Sequence, residues 1–396
     1  MTPAARVQAA IECLDLIAAA ASEGGAAADT LIARYFAARR YAGSKDRRAV
    51  RDLVFDVVRQ VGEPPPSGRA ALIGYARAAA PDLLETFGES GHAPAPLLPD
   101  EPAAEPSPAP AWLLDRLRAR FGDDTPRQVA ALLGRAPLDL RVNTLKGRRD
   151  AVAVAEAVPT PFARDGLRLP TAANVERSDA FRDGLIEVQD EGSQLAVATC
   201  AVEPGMTVVD LCAGAGGKTL ALAAAMANRG RLIASDTDRG RLQRMVPRLA
   251  RAGVTIAAPR LLDARREAEA LADLASTADL VLIDAPCSGT GTWRRNPEAR
   301  WRLTPERLAR LTAEQARLLD LAAVLVRGGG ALAYVVCSLL PEEAEAQVAA
   351  FRTRRPGFEP QDFANPLGGA AVSTLVLTPG DQGCDGFFIA RLTRVC

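Results

Sequence analysis

Cys287 and Cys337 stand fifty residues apart, each at the end of an apolar run, Asp284-Ala-Pro-Cys287-Ser-Gly-Thr-Gly291 and Ala333-Tyr-Val-Val-Cys337-Ser338. A cysteine is only a few per cent thiolate at neutral pH, yet its sulfur is nucleophilic enough to attack an electron-poor ring. Carbon 6 of a pyrimidine is such a target. Addition there makes carbon 5 an enamine-like nucleophile that can take a methyl group from a sulfonium; the carbon 5 proton then leaves and the thiol is eliminated. The sequence of steps needs a nucleophile, a group bonded to the N3 and exocyclic amine edge, and a base. Asp284 is the candidate for the base edge. Unreactive cysteine is among the most buried residue types, so either thiol alone reads as packing, as Cys200 and Cys212 do. Position separates Cys287 and Cys337 from these, because each follows a different strand of what should be one sheet.

Upstream, Thr207-Val-Val-Asp210-Leu-Cys212-Ala-Gly214-Ala-Gly216-Gly217-Lys218-Thr219 reads as a strand that breaks into a glycine turn and then a helix. In an open α/β sheet, ligands bind beyond the carboxyl ends of the strands, where such a turn lets backbone N–H groups approach. Asp236, twenty-six residues after Asp210, is spaced to accept hydrogen bonds from ribose hydroxyls, and Asp263 could address an adenine. Three nucleotide sites compete for this turn. A phosphate-binding P-loop needs glycine where Cys212 stands, and a dinucleotide fingerprint needs glycine where Thr219 stands. S-adenosylmethionine carries no phosphate, so a shorter turn suffices. A tight strand-to-helix turn with no ligand is the remaining reading.

The elements that must position these groups follow from composition and pattern. The chain has 396 residues, 48% of them hydrophobic, enough for two or three globular domains. Its start lacks a secretory apolar core and no stretch approaches a membrane span, so it is expected in the cytoplasm. Seven cysteines with no C-x-x-C among them fit reduced thiols rather than disulfides or zinc. The single histidine, His92, leaves acid–base work to carboxylates and thiols and excludes His-dependent triads.

Residues 6–60 read as helical through Ile11, Leu14, Ile17, Leu53, Val54, Val57 and Val58. Seven prolines between Gly91 and Pro110 suit a semi-rigid spacer. Helices are expected at Trp112–Phe121 and Gln128–Leu133, then a half-buried strand over Leu138–Leu145. From about Gln189, short apolar runs alternate with helical stretches, the pattern of a parallel sheet covered on both faces. Strands are expected at Thr207–Leu211, Arg231–Ser235, Leu280–Ile283 and Ala331–Val336, with Ser373–Leu377 and Gly386–Leu392 as an antiparallel edge. The expected domains are helical 1–90, linker 91–110, small α/β 111–190 and sheet domain 191–396.

Net charge is zero, so polyanion binding must be local. Seven basic residues face Asp46 alone between Arg34 and Arg51, among them Arg39, Arg40, Lys45, Arg47 and Arg48. A second run, Arg294 to Arg310, holds six arginines, of which Arg294, Arg295 and Arg300 are nearest the thiol loop. Arginines of this kind would grip phosphate while a target base swings out of its stack. Only three lysines occur, Lys45, Lys146 and Lys218, so a lysine within the glycine turn hints at a specific need.

The chain resembles the Sun/Nop family of RNA cytosine-5 methyltransferases over roughly Leu138 to Leu392. The resemblance rests on Leu140-Arg-Val-Asn143, Val188-Gln-Asp-Glu-Gly-Ser-Gln194, Cys212 to Lys218, Asp284 to Gly291, Arg294-Arg-Asn-Pro297 with Trp301, and Cys337-Ser-Leu-Leu-Pro-Glu-Glu343. It implies an α/β fold, a Rossmann-like class I methyltransferase domain with an antiparallel edge, preceded by a small α/β domain and an N-terminal helical domain. By resemblance, Cys212, Ala213, Gly214, Ala215, Gly216, Gly217, Lys218, Asp236, Asp263 and Asp284 would contact S-adenosyl-L-methionine. Cys337 would be the nucleophile, and Cys287 would assist product release. The helical segment around Arg39–Arg48 looks like a shortened NusB-like RNA-binding domain. The expected partner is RNA, ribosomal in the family's pattern, met by a monomer, with no metal. Departures from the family pattern are Val336 for threonine, Ala215 for proline and Ala344 for asparagine. They motivate a rival reading, a catalytically reduced RNA-binding ribosome-assembly factor that keeps the fold.

Overall fold

A computed structural model describes residues 1–89, 91–169 and 174–395. The chain divides into two units, Met1–Arg135 with Thr292–Pro305, and Ala136–Gly291 with Glu306–Cys396.

The first unit is helical. Thr2 caps α1 (Pro3–Glu23) by accepting from the Ala5 amide at 3.1 Å, and Gly24 at φ 75° ends it in the left-handed conformation that glycine tolerates. Then come α2 (Ala28–Ala37), α3 (Ser44–Gln60) and α4 (Gly68–Ala79), followed by α5 (Ala111–Phe121) and α6 (Thr125–Leu133). The expected apolar positions Ile11, Leu14, Ile17, Val54, Val57 and Val58 form one core with Ile32, Phe36 and Trp301. The proline-rich stretch carries no helix after residue 90 but hydrogen-bonds the helices, Ala104 N–H to the Ala70 carbonyl and Ser107 N–H to the Gln60 carbonyl, both at 2.9 Å.

The second unit opens with a small antiparallel sheet of β1 (Leu138–Val142), β2 (Val158–Pro159), β3 (Gly166–Leu169) and β4 (Ile186–Val188), in the order β2-β3-β1-β4. Strand β1 stops short of Leu145 because the Asn143 side chain intervenes. Its amide donates to the carbonyls of Gly184 and Ala252, and its oxygen accepts from Leu145 N–H, which closes a local turn in place of further ladder bonds. Short α7 (Asp179–Arg182) lies before β4, and α8 (Glu191–Ala198) follows it.

The remaining elements alternate. They are β5 (Thr207–Asp210), α9 (Gly217–Ala225), β6 (Arg231–Asp236), α10 (Arg239–Ala252), β7 (Ala257–Leu261), α11 (Glu267–Ala270), β8 (Ala278–Asp284), α12 (Pro305–Leu325), β9 (Val326–Val336), α13 (Glu345–Arg354), β10 (Phe358–Pro360), β11 (Thr374–Leu377), α14 (Pro379–Gln382) and β12 (Phe387–Arg394). The large sheet runs β10-β12-β9-β8-β5-β6-β7, with β11 paired to β12. Strands β5 to β9 are mutually parallel, and β10, β11 and β12 pair antiparallel at one side, as the α/β reading requires. Every expected strand of this sheet is present. Strand β7, which the apolar pattern misses, has a mostly exposed edge and contains Pro259, so it lacks a continuous buried run.

Parallel ladders bury the sheet on both faces. Val209, Ile233, Val281, Ile283 and Tyr334 pack toward α12 and α13, while Val208, Leu232, Leu280, Leu282 and Val335 pack with Leu195 and Leu222 on the opposite side. This burial leaves the strand ends as the place where polar side chains can gather. Asp210, Asp236, Asp284 and, one residue past β9, Cys337 therefore share the carboxyl edge.

Candidate active site

The glycine turn after β5 is built for a close approach. Gly214 and Gly216 have φ of 55° and 87°, and a Cβ at Gly216 would sit 2.6 Å from Met245 Cγ, so both strain and contact require glycine there. No side chain caps the start of α9, which leaves its first N–H groups directed outward. Asp236 holds the turn by accepting from Gly214 N–H at 2.8 Å and from Asp238 N–H at 2.7 Å. A carboxylate has about four acceptor positions, so capacity remains for a pair of hydroxyls. Asp263 lies on the exposed loop beyond β7. Together the open turn and the free acceptor capacity fit a nucleoside-bearing cofactor that lacks a phosphate.

Beneath the turn, Asp210 is fully buried and accepts from Thr219 Oγ1 at 2.7 Å, while its other oxygen has no hydrogen-bond partner among the described residues. Burial pushes its carboxyl up to about 7, assisted by the charges of Asp284 and Asp236 and opposed by the Thr219 hydrogen bond. Lys218 Nζ donates to Asp284 Oδ2 at 2.7 Å. Burial is the largest influence on Lys218 and works downward, but the charge and hydrogen bond of Asp284, then the charge of Cys337, outweigh it. The ammonium is held above its ordinary value.

Cys287 Sγ and Cys337 Sγ are 3.3 Å apart, and both residues are half-buried rather than sealed in the interior. The Cys287 thiol is pushed well up, first by its hydrogen bond to Cys337, then by burial and by the charges of Cys337 and Glu343. Cys212 is likewise pushed well up, by burial and then by the carboxylates of Asp284, Asp210 and Asp236. Cys200 is buried and raised to about 12 by the same cause, which suits packing.

Sequence reasoning missed Glu343 as a site residue, although it closes the quoted run that begins at Cys337. Its carboxylate is fully buried and accepts from Ser288, Ser338 and Gln315. The clue available was a second consecutive glutamate after a proline, next to a strand that should lie inside the fold. Gln315, in the middle of α12, carried no clue at all.

Two expected RNA contacts need correction. Arg300 is fully buried in the helical unit, where Nε donates to Pro297 O at 3.0 Å and the terminal nitrogens donate to the carbonyls of Pro108 and Val58. Burial lowers its guanidinium to about 9. Arg294 is only 6% exposed in the same unit. Both side chains are enclosed rather than presented at the surface. The run reads as basic by sequence, but its segment completes the helical core through Trp301, whose Nε1 donates to Val61 O at 2.7 Å. Arg295 is half-buried. In the other patch, Arg40, Lys45, Arg47 and Arg48 are exposed, while Arg39 pairs with Glu12 at 3.1 Å and covers the Tyr35 ring.

Comparison with known proteins fits this edge. Residues 196–393 match the family described as 16S rRNA methyltransferase RsmB/F, and residues 109–176 match the ferredoxin-like domain of RsmF/B-like methyltransferases. The chain belongs to the RsmB/F family of 16S rRNA methyltransferases. It is 34% identical over 291 residues to ribosomal RNA small subunit methyltransferase B of Salmonella arizonae, covering 72% of this chain. The match spans 66% of that relative's length. The crystal structure of PH0851 superposes with a TM-score of 0.76 at 28% identity, covering 100% of this chain and 99% of that one. NSun6 from Pyrococcus horikoshii, solved with SFG, shares the fold at a TM-score of 0.63 and 20% identity, over 72% of this chain and 98% of its own.

Family membership gives the departures a location. Val336, the last residue of β9, and Ala344 are both fully buried in the apolar core. Ala215 keeps a backbone role, its carbonyl accepting from Arg248 at 2.6 Å. Among the described residues no helix is long and apolar enough to cross a membrane, and no cluster of potential metal ligands occurs.

Proposed function

We propose that this protein transfers a methyl group from S-adenosylmethionine to carbon 5 of a cytosine in RNA, with small-subunit ribosomal RNA as the substrate class, through a covalent bond to Cys337. The observation that carries the proposal is the pair of half-buried sulfurs 3.3 Å apart on the edge that also holds Lys218 and Asp284. Family membership supports the cofactor and the nucleic acid.

The cofactor supplies one electrophilic sulfonium methyl group, which carbon 5 of the base takes. The residues that would hold it are the backbone N–H groups of Gly217 and Lys218 for its carboxylate, Asp236 for the ribose hydroxyls and Asp263 for the adenine. The chain's own chemistry starts at Cys337, whose sulfur adds to carbon 6. After methylation the carbon 5 proton leaves to solvent, its bonding electrons re-form the 5,6 double bond and the bond from carbon 6 to Cys337 breaks; Cys287, 3.3 Å from the departing sulfur, supports that release. Asp284 accepts from the exocyclic amine N–H of the base, and the Lys218 ammonium keeps its carboxylate fixed in direction. Exposed Arg40, Lys45, Arg47 and Arg48, with Arg39 and Arg295, contribute phosphate contacts.

The deciding test is transfer of labelled methyl from S-adenosylmethionine to RNA, with bisulfite sequencing of the product. Label at carbon 5 of cytosine is expected from the wild type and none from Cys337→Ala. Labelling at another atom, or equal labelling by the variant, would overturn the proposal.

A further inference from the structure

Two loops carry the thiols, and neither is rigid through its own secondary structure. Cys287 lies three residues beyond β8, and Cys337 is the first residue past β9. The placement of their sulfurs therefore depends on what ties the loops together. Backbone supplies one link, Gly291 N–H to the Cys337 carbonyl at 3.0 Å, and the Thr290 hydroxyl accepts from Leu339 N–H at 2.9 Å.

Ser338 Oγ also lies 3.1 Å from Ser288 Oγ and 3.2 Å from Thr290 Oγ1, and further links converge on one carboxylate. Glu343 Oε1 accepts from the backbone N–H of Ser288 at 2.8 Å and from Gln315 Nε2 at 2.9 Å. Glu343 Oε2 accepts from Ser338 Oγ at 2.5 Å and from Ser288 Oγ. Ser288 follows Cys287, and Ser338 follows Cys337, so one side chain grips the residue after each thiol. Gln315 adds a third element, because the same amide nitrogen also donates to the Pro286 carbonyl, just before Cys287, at 2.9 Å. The Glu343 carbonyl is itself anchored by the Tyr334 hydroxyl at 2.8 Å.

A fully buried carboxylate is costly unless donors satisfy it, and four donors converge here. Structural economy alone would favour an apolar residue at such a place, since replacing a satisfied buried charge by apolar packing is often neutral. Its retention next to two reactive sulfurs points to geometry as its purpose. We infer that Glu343 is the positioning residue of the thiol pair, holding the Cys287 and Cys337 loops so that their sulfurs stay within hydrogen-bond reach during covalent catalysis. The inference rests on the proposed roles of the two thiols. Glu343 does not touch the substrate and acts only through Ser288, Ser338 and Gln315.

The experiment reads sulfur placement separately from methyl transfer. Full-length wild type and Glu343→Gln are treated with diamide, which takes two electrons and two protons from the thiol pair to join the sulfurs, and the Cys287–Cys337 disulfide is followed by peptide mass. Glu343→Gln is expected to slow this coupling at least about tenfold, and to lower kcat for RNA methylation about 100-fold, as an ångström of misplacement does, with KM for S-adenosylmethionine little changed. Ser338→Ala, which removes one donor and leaves the charge, is expected to slow coupling by a smaller factor. It serves if Glu343→Gln does not fold. Wild-type coupling rates in the folded variants would overturn the inference. Slowed coupling in a protein whose wild type methylates no cytosine would uphold the clamp and reject the proposed function instead.

Discussion

Cys287 Sγ and Cys337 Sγ lie 3.3 Å apart although the residues are fifty positions apart in the chain. Adjacent parallel strands β8 and β9 deliver them to one edge. Replacing Cys337 by Ala should abolish methyl transfer. Replacing Cys287 by Ala should instead leave protein bound covalently to RNA, seen as a band that survives denaturant. Turnover without an accumulated adduct would remove the release role.

The Lys218–Asp284 pair should be separable from the thiols. Lys218→Met leaves the Asp284 carboxylate without its partner. Because Asp284 keeps 32% side-chain exposure, the stability loss should be only about 1–2 kcal/mol, read by denaturant unfolding. The loss in kcat/KM should be larger, about 100-fold, if the pair orients the base. A variant with full activity would refute that part.

Asp210 predicts a pH dependence of stability. Its folded value of about 7 lies above the ordinary 3.8, so the native state binds more protons than the unfolded chain between those limits. Its stabilising contribution is complete below about pH 4 and is lost as pH rises through 7. The full difference corresponds to roughly 4 kcal/mol. Asp210→Asn has no such titration, and its melting temperature should fall less than the wild type's between pH 5 and 8. Parallel curves would contradict the assignment.

Arg300 and the exposed basic residues should part company in two assays. Arg300→Gln removes donors from the buried carbonyls of Val58 and Pro108 and should destabilise the helical unit by about 3 kcal/mol without altering the salt dependence of RNA binding. The triple variant Arg40→Gln, Lys45→Gln, Arg48→Gln should fold normally and flatten the slope of log affinity against log salt by about 2. An unchanged slope would remove this patch from the RNA contacts.

Trp301→Ala tests whether the segment Thr292–Pro305 belongs to the helical core. Its side chain is 3% exposed and packs in the cluster with Leu14 and Val54. A loss of about 3–5 kcal/mol is expected, with faster amide exchange in α1 and α3. Exchange unchanged in these helices would show that the segment is peripheral.

The amino-acid sequence by itself determined the parallel sheet, the glycine turn and the identity of the two thiols. These are local matters. A buried strand needs a run such as Leu280–Ile283, a left-handed turn needs Gly214 and Gly216, and a reactive sulfur needs cysteine, so each is legible where it occurs. Only the tertiary structure decided that Arg294 and Arg300 are enclosed, that burial pushes the Asp210 carboxyl up to about 7, and that Glu343 with Gln315 joins both thiol loops. Each of those properties depends on which distant groups surround a side chain. An arginine in solvent and one whose guanidinium is spent on carbonyls 192 and 242 residues away have the same letter and the same neighbours in sequence. Burial and long-range hydrogen bonding tell them apart, and both arise only when the chain has closed on itself.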